Sequence, residues 1–207
     1  MIKLTANYYT DPDVTFLAKD LLGKIIYTKI DGITTAGIIT ETEAYFGIDD
    51  KASHAYKNRR TARTEAMYGK GGLTYIYLCY GIHHLLNIVT SSEGDPKCVL
   101  LRSIEPFHGL AEMEIRRKIP AKNTKISSGP GSLTKALGID LTFNKENLTK
   151  NRIWIEDHGI YYHESLISQV SRIGVGYAEE HASLPLRFYI NDSKYVSNKI
   201  SKSILKQ

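Results

Sequence analysis

The sequence predicts an α+β fold, in which a mostly antiparallel β-sheet and flanking helices form one domain. Strand-like segments outnumber helical ones, and hairpin signals recur between them. The chain has 207 residues, which suits one domain, and it contains no internal repeat or obvious linker. We therefore expect residues 1–207 to form a single domain, with a polar tail at 193–207 that frays.

The first predicted element is a helix that begins at Asp11 and ends at Gly23. Asp11 is a favourable N-cap, and Pro12 suits the first helical position. Apolar residues then recur at i, i+3, i+4, i+7 and i+8, which is the spacing of one helix face. Gly23 supplies the usual residue after a helix end.

Two β-rich runs at 24–30 and 33–45 follow this helix. They flank Asp31-Gly32, which is a strong signal for a two-residue hairpin turn. Near the end of the second run, Glu41, Glu43 and Tyr45 alternate with other residues, so they share one face of the strand.

The rest of the chain is predicted to alternate between loops, strands and two helices. Residues 46–72 lack periodicity and are interpreted as a long surface loop. Residues 73–80 and 85–91 form a second hairpin around Gly81-Ile82-His83-His84. Further strands are expected at 98–105, where Pro106 stops the strand, and at 153–156, 170–175 and 186–191, with helices at 109–117 and 132–137.

Positive charge and tyrosine are concentrated in one part of the chain. The net charge is +5, and residues 51–72 hold six basic residues against the single acid Glu65. Six of the 14 tyrosines lie within residues 45–80. Basic side chains neutralise phosphates and aromatic rings stack on bases, so this composition is typical of a nucleic-acid surface. The alternative is that Tyr75 and Tyr77 are ordinary cross-strand packing residues.

The paired carboxylates Glu41 and Glu43 are the first candidates for catalysis. A glutamate buried in a central strand is costly, and such positions are where acid–base groups are found. The alternative is a pair of edge-strand glutamates in solvent, which would suppress aggregation.

Composition and motifs exclude several other classes of protein. Hydrophobic residues make up 42% and charged residues 24%, which excludes global disorder. No apolar run is long enough for a membrane helix, and the first nine residues lack a signal-peptide pattern. Two cysteines and scattered histidines provide no metal-binding spacing, and the phosphate-binding loop pattern is absent. We therefore expect no metal and no cofactor.

Eight short stretches, in a fixed order along nearly the whole chain, point to one family. They are ITETEAY (39–45), SH (53–54), LTYIYLCYGI (73–82), NI (87–88), VLLR (99–102), SGP (128–130), RIGVG (172–176) and LRFY (186–189). Together they resemble the alkyladenine DNA glycosylases, also called 3-methyladenine or N-methylpurine DNA glycosylases. The resemblance implies a curved sheet with a protruding hairpin that inserts into DNA.

The resemblance also assigns catalytic roles to three residues of this chain. Glu43 matches the general base, whereas Arg102 and the carbonyl of Val175 match the groups that hold the nucleophilic water. A carboxylate can deprotonate a water aligned with the sugar carbon, which agrees with the assigned role of Glu43. Glu41 is interpreted as structural.

Four residues match the pocket that receives the damaged base. Tyr45 and Tyr77 match its stacking walls, His54 matches the residue that lies beside the base, and Asn87 matches the residue that disfavours the exocyclic amine of guanine. An enzyme that acts on a base in duplex DNA must extrude it and bind it in such a pocket.

Tyr80 and Ile82 match the side chains that enter the DNA. An apolar wedge at a hairpin tip compensates for lost stacking when a nucleotide is extruded. Alternation along residues 73–80 predicts that Tyr77 and Tyr80 lie on opposite faces. Ile82 stands where a methionine is frequent in the family.

The implied function is a monofunctional DNA glycosylase that initiates base excision repair. It would excise alkylated or deaminated purines, of the 3-methyladenine, 7-methylguanine and hypoxanthine type, by base flipping and hydrolysis of the N-glycosidic bond. Double-stranded DNA with damaged purines is the expected partner of a monomer in a bacterial cytoplasm, associated with the nucleoid. Two alternatives remain, namely a noncatalytic nucleic-acid-binding module and a hydrolase of free nucleosides.

Overall fold

The structure is a computed structural model that describes residues 1–199, with four α-helices and nine β-strands in that range. The helices are α1 Ala6–Tyr9, α2 Val14–Asp20, α3 Leu110–Arg117 and α4 Pro130–Leu137. The strands are β1 Ile2–Lys3, β2 Ile25–Ile30, β3 Ile33–Tyr45, β4 Thr74–Cys79, β5 His83–Thr90, β6 Lys97–His108, β7 Ile153–Asp157, β8 Ile167–Val170 and β9 Arg187–Ile190. All of these strands pair antiparallel, which confirms the predicted α+β class.

Strand β3 lies in the interior of the sheet, whose order is β1-β7-β2-β3-β6-β5-β4. β2 pairs with the first part of β3, up to Ile38, and β9 pairs with the later residues Glu41 to Glu43. β6 runs along the other edge of β3. The two glutamates are therefore flanked by strands on both sides and are fully buried, so the alternative of edge glutamates in solvent is wrong.

Helix α2 covers one face of β3, and the two glutamates lie on the other face. α2 packs against β3 and β6, and the hydroxyl of Thr42 donates to the carbonyl of Ala18 at 2.7 Å. Side chains alternate along a strand, so Glu41 and Glu43 point away from α2. Helix α4 packs against β5 and β6. Leu17, from α2, lies in the main apolar core.

Both hairpins have turns that suit their residues. The β2–β3 turn consists of Asp31 and Gly32, with φ values of 49° and 83°, as expected for a type I′ turn. β4 and β5 form the second hairpin, in which Cys79 lies opposite His83. Its turn is therefore limited to residues 80–82, and His83 and His84 belong to β5 rather than to the tip.

The predicted first helix is shorter than expected. Asp13, rather than Asp11, is its N-cap, because the Asp13 carboxylate accepts hydrogen bonds from the backbone N–H groups of Thr15 and Phe16. The predicted helices near 109–117 and 132–137 correspond to α3 and α4, and α4 begins at Pro130. The short elements β1 and α1 lacked a sequence signal.

Two strand predictions are corrected by the structure. β6 continues through Pro106 to His108, and Pro106 lies opposite Gly37 beside a register shift. β5 pairs only with Lys97 to Leu100, so Pro106 occupies a free edge where its missing N–H is tolerated. The strand expected at 170–175 instead ends at Val170, because the next residues leave the sheet and Arg172 turns inward to bind Asp50.

Residues 46–72 are packed more closely than the predicted surface loop. Three short 3-10 helices cover Gly47–Asp49, Tyr56–Asn58 and Glu65–Tyr68. Met67 and Tyr68 are buried in an apolar cluster with residues of β4 to β6. The segment therefore packs partly against the sheet, while residues 57–63 remain exposed on the surface.

The expectation of a frayed tail does not hold for residues 193–199. Tyr195 and Val196 are buried, and Ser197 donates hydrogen bonds to Glu41. The rest of the predicted tail, residues 200–207, lies outside the described residues.

No helix within the described range has the length and hydropathy needed to cross a membrane.

Candidate active site

A buried carboxylate at the end of β3 is the centre of the candidate site. Glu43 Oε1 accepts hydrogen bonds from the backbone N–H of Ile173 at 2.8 Å, and Arg102 Nη1 lies 3.2 Å from the same oxygen. Glu43 Oε2 accepts a hydrogen bond from the Tyr45 hydroxyl at 2.9 Å. The ion pair with Arg102 compensates for burying the carboxylate of Glu43.

Arg102, on the neighbouring strand β6, contacts both glutamates of β3. Its Nε donates to Glu41 Oε1 at 2.8 Å, in addition to the contact between Nη1 and Glu43. Burial by itself lowers the pKa of Arg102, but the charges of Glu43 and Glu41 outweigh that effect and raise it. Burial has the opposite effect on a carboxyl group and by itself raises the pKa of Glu41. The charge of Arg102 and the hydrogen bonds from Ser197 outweigh burial and hold this pKa below its usual value.

A cavity of about 390 Å³ lies in front of this network. It brings together seven of the nine sequence-predicted site residues, which are Tyr45, His54, Tyr77, Tyr80, Asn87, Arg102 and Val175. Glu43 is fully buried behind the cavity, where it contacts the lining residues Tyr45 and Arg102. Ile82 instead lines a neighbouring groove, together with His83 and His84.

The cavity walls are aromatic, and each aromatic ring is fixed by a neighbour. The guanidinium of Arg172 lies 4.7 Å from the ring centre of Tyr45. The rings of His54 and Tyr77 meet edge to face at 4.6 Å, and Tyr75 stacks on Tyr77 at 5.5 Å. Burial and the adjacent charge of Glu43 raise the pKa of the Tyr45 hydroxyl well above its usual value, so this hydroxyl remains a donor to Glu43.

His54 is held as a neutral imidazole at the edge of the cavity. Burial, reinforced by the positive charges of Arg63 and Arg59, lowers the pKa of His54 to about 4. Its Nδ1 lies 2.8 Å from the hydroxyl of Tyr75. A neutral imidazole carries one donor and one acceptor nitrogen, so the remaining Nε2 can form a directional hydrogen bond with a bound molecule.

Asn87 and Val175 are the last two predicted residues that line the cavity. Each already forms one hydrogen bond within the protein. Asn87 Nδ2 donates to the carbonyl of Tyr75 at 3.2 Å. The carbonyl of Val175 accepts from the backbone N–H of Ala178 at 2.9 Å. A carbonyl oxygen has two lone pairs, so Val175 can accept a second hydrogen bond.

The tip of the β4–β5 hairpin is the most exposed part of the candidate site. Tyr80 is 88% exposed and Ile82 is 71% exposed. Tyr80 has a φ of 50°, so the chain has already left the strand conformation at this residue. The predicted alternation therefore ends at Cys79, and Tyr77 and Tyr80 line the same cavity instead of facing opposite sides.

Four of the six basic side chains in residues 51–72 are exposed and form no ion pair with another described residue. Lys51 forms ion pairs with Glu179 and Glu180, and Arg60 pairs with Glu65. Within residues 1–199 the other basic side chains of this segment are exposed and lack an ion pair, and these are Lys57, Arg59, Arg63 and Lys70. They lie on the segment that also supplies His54 to the cavity.

Two features of the site were missed in the sequence. Asp50 and Arg172 form a fully buried, bidentate ion pair behind Tyr45, although 122 residues separate them in the chain. Tyr177 lines the cavity and donates to the carbonyl of Ala52 at 3.1 Å. Arg172 lies within the RIGVG stretch, which was the only signal for its importance.

Within residues 1–199 no cluster of three metal-binding side chains occurs.

Comparisons with known proteins identify the family. The family model of methylpurine-DNA glycosylases matches residues 7–194. A Chlamydia felis protein named "Putative 3-methyladenine DNA glycosylase" is 45% identical over 92% of this chain and 97% of its own length. Proteins of the same name from Clostridium perfringens and Desulfitobacterium hafniense are 40% and 39% identical, each over 96% of this chain and 100% of their own length. The family predicted from the eight stretches is therefore confirmed, and the chain belongs to the methylpurine-DNA glycosylase family.

Proposed function

We propose that the protein is a monofunctional DNA glycosylase, which extrudes an alkylated or deaminated purine from duplex DNA and hydrolyses its N-glycosidic bond. The observation that carries this proposal is the buried Glu43 beside Arg102, behind an aromatic cavity. The cavity volume of about 390 Å³ lies within the range of small-molecule sites. Purines of the 3-methyladenine, 7-methylguanine and hypoxanthine type are the proposed substrates.

Glu43 has the hydrogen-bonding capacity that a general base needs. A carboxylate offers about four lone-pair sites; two of those on Glu43 accept hydrogen bonds from Ile173 and Tyr45, while a third faces the ion-paired Arg102. The remaining site can accept a hydrogen bond from water. Arg102 and the carbonyl of Val175, which both line the cavity, would orient that water toward the sugar.

The chemical step follows from this arrangement. The water oxygen forms a bond to C1′ of the sugar as its proton passes to Glu43. The C1′–N bond breaks, and its electron pair leaves with the base, which produces an abasic site. Alkylation makes the purine cationic, so that base leaves as a neutral molecule, whereas hypoxanthine needs a proton as it leaves. Product formation in this way would initiate base excision repair.

The exposed hairpin tip supports duplex DNA as the substrate. Tyr80 presents an aromatic ring to solvent beside the cavity, where it can fill the space left by an extruded nucleotide. Stacking of Tyr45 and Tyr77 on the extruded base would repay part of the cost of unstacking it. A free nucleoside requires no such wedge, so this tip favours DNA over a nucleoside substrate.

No lysine lines the cavity within residues 1–199, which favours hydrolysis by water over a covalent lysine intermediate. We also propose that the protein acts as a monomer without a metal or nucleotide cofactor. Trapping of a protein–DNA adduct by borohydride would contradict the water mechanism.

The proposal is tested by release of hypoxanthine and 3-methyladenine from duplex DNA. We expect the protein to release the base and Glu43→Gln to be slower by about 10²–10⁴-fold, which is the usual contribution of a general base. DNA binding should be retained in this variant, because Glu43 lies behind the cavity. Glu164→Gln, at an exposed glutamate, is the matched control. Release by Glu43→Gln at the native rate would overturn the role of Glu43, and binding without release by the native protein would favour a noncatalytic module.

A further inference from the structure

The second carboxylate of β3, Glu41, has its hydrogen-bonding capacity completely filled. Its Oε1 accepts from Arg102 Nε at 2.8 Å and from the Ser197 hydroxyl at 2.9 Å, with Arg187 Nη1 at 3.4 Å. Its Oε2 accepts from the Ser103 hydroxyl at 2.9 Å and from the Ser197 backbone N–H at 2.7 Å. No lone pair is left for a water molecule, so Glu41 cannot replace Glu43 as the base.

The guanidinium of Arg102 contacts both Glu41 and Glu43 through different nitrogen atoms. Arg102 Nε binds Glu41, and Arg102 Nη1 faces Glu43 at 3.2 Å. The guanidinium is planar and rigid, so fixing its Nε also fixes the position of Nη1. Glu41 therefore determines where Arg102 meets Glu43 and the cavity.

Glu41 is itself held by the segment 195–199, which is remote in the sequence. Ser197 is 156 residues from Glu41 and provides two of its hydrogen bonds. The neighbouring Tyr195 and Val196 are buried. Arg187, next to Glu41, donates to the carbonyl of Asn198 at 2.5 Å, which ties the same segment to the network a second time.

We propose that Glu41, fixed in turn by Ser197, is a positioning residue that holds Arg102 against Glu43 and the reacting water. The proposal rests on the function proposed above, but the contact between Glu41 and Arg102 can be tested independently of activity. Glu41 would contribute to the chemical step without touching the substrate, and the segment 195–199 would be part of the catalytic structure.

The first test detects the Arg102 Nε–H group by NMR. A buried Nε–H with a charged hydrogen bond should give a slowly exchanging ¹⁵N resonance, which Arg102→Lys assigns by its loss. We expect this resonance to disappear in Glu41→Gln and to exchange faster in Ser197→Ala. It should be unchanged in Thr42→Val, which removes a buried hydrogen bond on the opposite face of β3. A protected resonance that persists in both network variants would overturn the proposal.

The second test separates the chemical step from DNA binding. Single-turnover release of hypoxanthine is measured against enzyme concentration, which gives a saturating rate and a half-saturating concentration. We expect Glu41→Gln to lower the saturating rate by about 100-fold, since small displacements of catalytic groups have effects of this size. Ser197→Ala should lower it less, because the backbone N–H of Ser197 still binds Glu41. The half-saturating concentration should stay within about twofold in both.

Thr42→Val again serves as the control for lost stability, and thermal unfolding shows which variants are folded at the assay temperature. Ser197→Ala keeps the proposal testable if Glu41→Gln does not fold. Folded network variants with the saturating rate of the Thr42→Val control would overturn the positioning role. Absence of release by the native protein would instead contradict the proposed function, and the NMR test would still decide whether Glu41 and Ser197 fix Arg102.

Discussion

The end of β3 and the tip of the β4–β5 hairpin border the same cavity but differ in almost every physical respect. Glu41 and Glu43 are fully buried, lie between two strands and are held by hydrogen bonds and by ion pairs with Arg102. Tyr80 and Ile82 are mostly exposed and occupy a turn of three residues. Under the proposed function, a change in the first region should disturb stability or chemistry, whereas a change in the second should alter DNA contacts and leave the fold intact.

This difference suggests a division of labour within the site. Chemistry needs groups that keep one geometry, and burial among fixed partners provides it. A wedge needs to reach into another molecule, so its ring must be free in solution before DNA binds. In the proposed mechanism both groups meet at one cavity, because a central strand and an exposed hairpin both end there.

The largest expected effect concerns the buried ion pair behind Tyr45. Asp50→Ala leaves Arg172 as an unpaired buried charge and should lower the free energy of unfolding by about 3–5 kcal/mol, as measured by urea denaturation. The double variant Asp50→Ala with Arg172→Met is the control, and it should lose less than the single variant because no charge is left unpaired. Equal losses in the two would mean that the pair does not stabilise this wall of the cavity.

The opposite behaviour is expected at the hairpin tip. Tyr80→Ala should weaken binding to a lesion-containing duplex by about 1–3 kcal/mol, the value of one aromatic–base stack, as measured by fluorescence anisotropy. Its free energy of unfolding should change by at most about 0.5 kcal/mol. Tyr161→Ala is the matched control, since Tyr161 is 73% exposed and lies outside the cavity. Equal binding by the two variants would contradict a wedge role for Tyr80.

The local parts of the fold were predictable from the sequence. Asp31-Gly32 between β-rich runs identified the β2–β3 hairpin, because turn conformation depends on the turn residues themselves. Pro106 was misleading, since its acceptance within β6 depends on a free edge that only the complete sheet reveals.

The site was predictable mainly through family resemblance. Alternation placed Glu41 and Glu43 on one face, but nothing local showed that Glu41 would bind Ser197, 156 residues away. The pairing of Asp50 with Arg172 was equally invisible, because both lie in irregular segments that meet only in the folded chain. Contacts of this kind arise from tertiary packing and leave no periodic pattern.

The pKa of His54, at the edge of the cavity, shows whether this part of the site is also buried away from water. Its pKa of about 4 lies below the usual 6.5, because burial and nearby arginines favour the neutral ring. The unfolded chain therefore takes up this proton first, and stability present above pH 6.5 is lost as the pH falls toward 4. An NMR titration should show the low midpoint, and His54→Asn should lose less stability than the native protein between those pH values. A midpoint near 6.5 would place His54 in solvent instead.

The smallest effect is expected for Ile82→Met, which exchanges one apolar side chain for another at the hairpin tip. Ile82 is 71% exposed, so the replacement has no core to disturb, and both side chains are apolar. Binding to the lesion-containing duplex and the free energy of unfolding should each change by at most about 0.5 kcal/mol. Ile82→Glu is the informative comparison, because a carboxylate there would face the DNA phosphates and should weaken binding, more so at low salt, without loss of stability. If Ile82→Glu bound as well as Ile82→Met, Ile82 would not face DNA, and insertion at the tip would depend on Tyr80.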